Sequence, residues 1–139
     1  MSDTHIIDRS KLDVLRQELG ANFLRILGYF REDGVKSIAA IEEAVRQRSA
    51  VALVRPAHTL KGEALQFGAV ALGAMAEQIE MAARRAVEDH VFPIDVIEYA
   101  VNLRPLFEEA TGLLARETAV TAPIRRVVGG FGRKIATGF

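Results

Sequence analysis

Apolar residues recur along this chain at intervals of three and four, the spacing that lays one stripe along an α-helix. No long stretch alternates as a half-buried strand would. Residues 8–20, DRSKLDVLRQELG, read as a short amphipathic helix that Asp8 or Ser10 can cap and Gly20 can end. From 21 to 48, Phe23, Leu27, Phe30, Ile38, Ile41 and Val45 sit near helical spacing with charges between them. The pair Asp33-Gly34 interrupts that pattern and is a place for a kink or a break, but one long helix is expected from about 21 to 48. A third helix spans 50–67, with Pro56 in its first two turns, where a proline costs less than at mid-helix. Gly68 marks a joint. Residues 69–87 read as a fourth helix whose seam uses Val70 or Ala71, Met75, Ile79 and Ala82 or Ala83. The run 88-EDHVFPID-95 is a turn signal. A fifth helix, 94–116, carries Ile97, Val101, Leu106, Ala110, Leu113 and Leu114, and Pro105 is expected to kink it or leave a carbonyl unpaired.

Several long amphipathic helices with short connections predict an all-α fold: an antiparallel up-and-down four-helix bundle with a short extra N-terminal helix, over residues 1–117. Composition agrees. Half of the 139 residues are hydrophobic and only 6% aromatic, which favours helices packed closely on small side chains over a β-sandwich. The length is that of one domain with one core.

The formal net charge is zero, yet it is unevenly placed. All 18 acidic residues lie at or before Glu117, while Arg125, Arg126, Arg133 and Lys134 follow it. The body therefore sets 14 basic against 18 acidic residues, a formal −4, and residues 118–139 carry +4. A mildly acidic body argues against a nucleic-acid-binding domain. Residues 118–139 hold four glycines and one proline, and read as a mobile basic tail; the competing reading is a segment that docks through Phe131 and Phe139. There is no cysteine, so disulfides, thiolate metal sites and cysteine nucleophiles are excluded. No apolar run approaches the roughly 18 residues of a membrane span. The stretch MSDTHIIDRSK lacks the layout of a secretory signal, so a cytoplasmic location is expected. Gly129-Gly130-x-Gly132 lacks the following helix and lysine of a phosphate loop, so no nucleotide site is expected and the chain is not a complete kinase.

The candidate chemistry lies in 57-AHTLKGEALQFGA-69. At about 100° per residue, Leu53, Ala57, Leu60, Ala64 and Phe67 form one continuous stripe that must face the core. That stripe lies roughly 180° to 260° from His58, so His58 points to solvent. On its side of the helix, Lys61 is three residues on and Gly62 four. Leu65 and Val54 fall nearly in line with His58, and Arg55 and Gln66 border the patch. A neutral imidazole nitrogen is a competent nucleophile toward phosphorus. An ammonium one turn away can offset phosphoryl charge. Gly62 removes a side chain beside the ring, at a cost of about 1 kcal/mol against alanine. Val54 and Leu65 supply an apolar rim for reversible docking. His5, His58 and His90 share no ligand spacing, so neither a metal nor a resident cofactor is expected.

The segment resembles the signature of histidine-containing phosphotransfer domains: His, any residue, Leu-Lys-Gly, small residues, then a hydrophobic-Gly-Ala step. The likeness continues through Leu72, Met75, Ala76, Ile79, Glu80 and Ala83, and covers roughly residues 10 to 117. It implies a bundle that presents one exposed histidine to receiver domains of response regulators or of a hybrid histidine kinase. His58 would then be the phospho-acceptor, Lys61 would stabilise the phosphoryl group and Gly62 would give steric clearance. Val54, Arg55, Leu65 and Gln66 would meet the partner, which would bring its own acidic pocket and divalent metal. Such a chain is a phosphocarrier rather than an enzyme, and four helices closing on one core give no need for a dimer. The rival reading is a non-catalytic adaptor that binds or titrates a receiver domain without transfer. The sequence departs from the pattern at Glu63, where the family usually has a small residue. Glu63 is expected to reach water and pair with a basic neighbour, against the alternative that it adds negative charge to the partner surface.

Overall fold

The computed structural model describes residues 6–129, with side chains described as far as Glu117. Helix α1 is Arg9–Leu19. A 3-10 turn, Gly20–Asn22, leads into α2, Phe23–Arg46. Then come α3, Ala50–Gln66, α4, Val70–Asp89, and α5, Asp95–Gly129. Helices α2 to α5 pack in a closed ring, α2 on α3, α3 on α4, α4 on α5 and α5 back on α2, with α1 laid across α2 and α3. This is the expected four-helix bundle with its extra N-terminal helix.

The helix ends follow local chemistry. Asp8 caps α1 by accepting from the backbone amides of Ser10 and Lys11, and Gly20 ends it with φ +54°. Ser49 caps α3 by accepting from the Ala52 amide at 3.1 Å. Gly68, at φ +77°, turns α3 into α4, and its carbonyl accepts the Asp8 amide at 2.7 Å. A side chain there would meet the Asp8 carbonyl, so α1 is tied to the α3–α4 joint through a position only glycine fits.

Several expectations are refined. Asp33-Gly34 does not break α2, which is the one long helix expected. Gly34 serves close packing instead: a Cβ there would lie 2.2 Å from Phe107 Cε1 on α5. The seam of α4 is Leu72, Gly73, Ala76, Ile79, Glu80, Ala83 and Ala86, turned from the expected one, with Met75, Ala71 and Ala82 only flanking it. In so alanine-rich a helix, apolar identity barely distinguishes adjacent faces. In α5 the buried set is Val96, Ala100, Leu103, Phe107, Ala110, Leu113 and Leu114, while Val101 is exposed and Ile97 and Leu106 are partly buried. Helix α5 also runs through Pro105 and beyond residue 116 to Gly129. Of the segment read as a basic tail, 130–139 lie outside the described residues, Phe131 and Phe139 among them, as does His5.

The core stripe of α3 is as expected, with Leu53, Ala57, Leu60, Ala64 and Phe67 all at 1% exposure or less. Phe67 stacks on Phe30 with centroids 4.9 Å apart, and Phe30 meets Phe107 edge-on at 5.8 Å. No described helix is long and apolar enough to cross a membrane.

Gly34→Ala tests the close approach of α2 and α5. Helix propensity alone would add up to about 1 kcal/mol of stability. Overpacking against Phe107 should outweigh that and leave a net loss, with a gross cost of about 1–3 kcal/mol. Urea unfolding measures the sign, and a stabilised variant would show that the two helices have room between them.

Candidate functional site: a solvent-facing histidine over a buried carboxylate

Small residues let α3 and α4 approach closely. Ala57 and Ala64 line the buried face of α3, and Gly73, Ala76 and Ala83 line that of α4. At Gly73 the Leu65 side chain fills the space a Cβ would need, 2.5 Å from it. This approach brings Glu80 of α4 beneath His58 of α3. The His58 side chain is 62% exposed and that of Glu80 6%.

Glu80 is the centre of the cluster. Its Oε2 lies 3.0 Å from His58 Nδ1 and accepts from Arg84 Nε at 3.0 Å and Nη2 at 2.8 Å. Its Oε1 faces Lys61 Nζ at 2.9 Å, an ion pair without the alignment of a hydrogen bond. Burial pushes the Glu80 carboxyl up, but Lys61, Arg84 and His58 outweigh it and hold it at about 2. Glu80 is therefore ionised at neutral pH and can only accept. His58 Nδ1 must then be the donor. In the neutral ring that places the free lone pair on Nε2, directed away from the carboxylate.

Lys61, at 24% side-chain exposure, is drawn inward to Glu80 but stays within a turn of the ring. Gly62 is exposed, and nothing lies within 4 Å of a Cβ built there. Neither backbone strain nor internal packing calls for glycine at this position. Arg55 and Gln66 are exposed, Val54 is partly buried, and Leu65 is 37% exposed. Leu65 and Gln66 also line a groove with Ser10, Lys11, Val14, Leu15 and Glu18 of α1. His90 lies apart, capping α4 at φ +60°. No cluster of three potential metal ligands occurs among the described residues.

The family model for the Hpt domain matches residues 25–114. The chain belongs to the Hpt domain family. A phosphotransfer role in two-component signalling follows from that membership. The solved structure of histidine-containing phosphotransfer protein B from Pseudomonas aeruginosa PAO1 is similar in fold, with a TM-score of 0.70 and 24% identity, over 81% of this chain and 93% of that one. No match is found among curated proteins.

Two residues of this cluster were not read as site residues from the sequence: Glu80, named only among those that carry the family likeness, and Arg84. The signal was present: a glutamate at seam spacing from Ala76 and Ala83, followed by arginine at i+4, is a charge that must find partners. Glu63 overturns its expectation. It meets no base; it faces Asp33 of α2, and its Oε1 is buried with no donor. Burial and the Asp33 carboxylate push it up to about 7. Helical spacing could not show this, because Asp33 and Glu63 are far apart in sequence and meet only when α2 packs on α3.

Glu80→Gln keeps the shape and removes the charge. Its folded value is depressed from 4.5 to about 2, so its stabilisation is present above pH 4.5 and is lost as pH falls toward 2. The wild type should exceed the variant by about 1–3 kcal/mol at pH 7, with the gap closing below pH 4.5. A gap that is constant with pH, read by denaturant unfolding, would remove the charge from the account.

Proposed function

We propose that His58 carries the phosphoryl group, accepting it from a receiver-domain aspartate and passing it to another. The observation that supports this reading is the pairing of Nδ1 with the ionised Glu80 beneath a solvent-exposed ring, which in the neutral imidazole places the lone pair on Nε2. The Nε2 lone pair attacks phosphorus in line, the P–O bond to the partner's aspartate breaks, and that carboxylate leaves with the bonding pair. No proton has to leave Nε2, and the positive charge that develops on the ring is offset by Glu80 beneath it. Lys61 and Arg84, both already at the cluster, can turn from Glu80 toward the arriving phosphoryl oxygens. The divalent cation belongs to the partner's acidic pocket; the chain's own part is to hold the ring and neutralise charge.

Gly62 fits the same reading. It forgoes about 1 kcal/mol of helix stability with no internal contact to explain it, which is what clearance for a partner requires. Val54, Arg55, Leu65 and Gln66 lie within about two turns of His58 along α3 and are at least partly exposed. They form the rest of the proposed docking face.

Incubation with a phosphorylated receiver domain should place an acid-labile, base-stable label on the wild type and none on His58→Gln, with helical content unchanged. A label on the variant would sink the assignment, and binding without any label would establish the adaptor reading instead. Lys61→Ala should slow transfer without abolishing it, and an unchanged rate would remove it from the mechanism. Gly62→Ala should raise stability by up to about 1 kcal/mol and yet slow transfer. Faster or equal transfer would show that clearance is not the role of Gly62.

A further inference from the structure

Glu63 and Asp33 form a second cluster of charge, on the opposite flank of α3 from Glu80. Helix α3 brings Glu63 to the α2–α3 seam, and α2 brings Asp33 to meet it. Asp33 is exposed, whereas Glu63 Oε1 is sealed from water and has no donor. Two carboxyl groups in contact can satisfy each other only by holding a proton between them.

Among the described residues no cation is placed to do the same work. From α2 the group that faces Glu63 is Asp33. On α3 itself, Lys61 turns to Glu80. From α4, Glu80 and Arg84 are engaged around His58. From α1, Lys11 lies at the Gly68 joint.

Of the two helices, α2 is the one that cannot easily yield. Gly34, next to Asp33, is pressed against the Phe107 ring, so α2 has no room to retreat toward α5. Helix α3 is weak on its own. Pro56 lacks the amide that would close one of its turns, and Gly62 lowers its propensity, so packing against its neighbours keeps it ordered.

We propose that Asp33 and Glu63 form a proton-binding site that couples the order of the histidine-bearing helix to pH. With the proton bound, the α2–α3 seam is closed by a carboxyl–carboxylate hydrogen bond. Without it, two like charges face each other across the seam and α3 loosens along the segment that holds His58, Lys61 and Gly62. The raised value of Glu63, about 7 against 4.5, gives the direction: stability is full below pH 4.5 and is lost as pH rises through 7.

Two measurements on the full chain decide it. The carboxyl carbon resonance of Glu63, assigned by its absence in Glu63→Gln, should titrate near pH 7 and move to lower pH in Asp33→Asn. A midpoint in the ordinary glutamate range in the wild type overturns the site. Amide hydrogen exchange of α3, corrected for the intrinsic pH dependence, should show protection falling severalfold from about pH 6 to 8 in the wild type and holding steady in Glu63→Gln. Equal behaviour of the two proteins overturns the coupling. Neither readout depends on phosphotransfer, so a failure here is distinct from a failure of the carrier assignment.

Discussion

A carboxylate taken out of water must be compensated by whatever surrounds it, and around Glu80 the compensation comes from His58, Lys61 and Arg84 together. That requirement organises the site. It fixes which histidine nitrogen holds a proton, draws Lys61 to the same point, and binds α3 to α4 through side chains as well as through the small-residue seam. The ring stays exposed while its orientation is set from below. An exposed histidine without such an anchor would sample several rotamers and both tautomers, and only a fraction of encounters would find Nε2 free.

The bundle supplies the rigidity that the anchor needs. Glycine and alanine at Ala57, Ala64, Gly73, Ala76 and Ala83 allow α3 and α4 to come together, and Gly34 does the same for α2 and α5. The aromatic group of Phe23, Phe30, Phe67 and Phe107 fills the volume that these small residues leave at the α1 end. Helix α3 is then held on both flanks, by a stabilising ionic cluster toward α4 and by an acid pair toward α2. The two flanks respond to pH in opposite senses, since Glu80 is stabilising only when ionised and Glu63 only when protonated.

Much of this was legible in the sequence wherever side chains of distinct character recur at helical spacing. Leu53, Leu60 and Phe67 defined the buried face of α3, and with it the outward direction of His58, because large apolar residues leave no doubt about phase. The same arithmetic failed on α4, where Ala71, Ala74, Ala76, Ala82 and Ala83 lie around most of the helix and the phase is carried by Leu72 and Ile79 alone. That error hid the place of Glu80 beneath His58. In α5, Val101 matched the expected stripe but faces solvent, and the phase was set instead by Leu103 and Phe107. Glu63 was misjudged for a different reason. A charged side chain was expected to reach water and a base, but which neighbour it meets is a matter of tertiary packing that helical periodicity does not contain.

The central claim is that Glu80 fixes the His58 ring with its proton on Nδ1 and its lone pair on Nε2. Nitrogen-15 NMR of the histidine ring in the full chain, at a pH where the ring is neutral, reads that tautomer directly. The account predicts a protonated Nδ1 and a bare Nε2, with the preference lost in Glu80→Ala. A ring protonated on Nε2, or a preference that survives removal of the carboxylate, would contradict it.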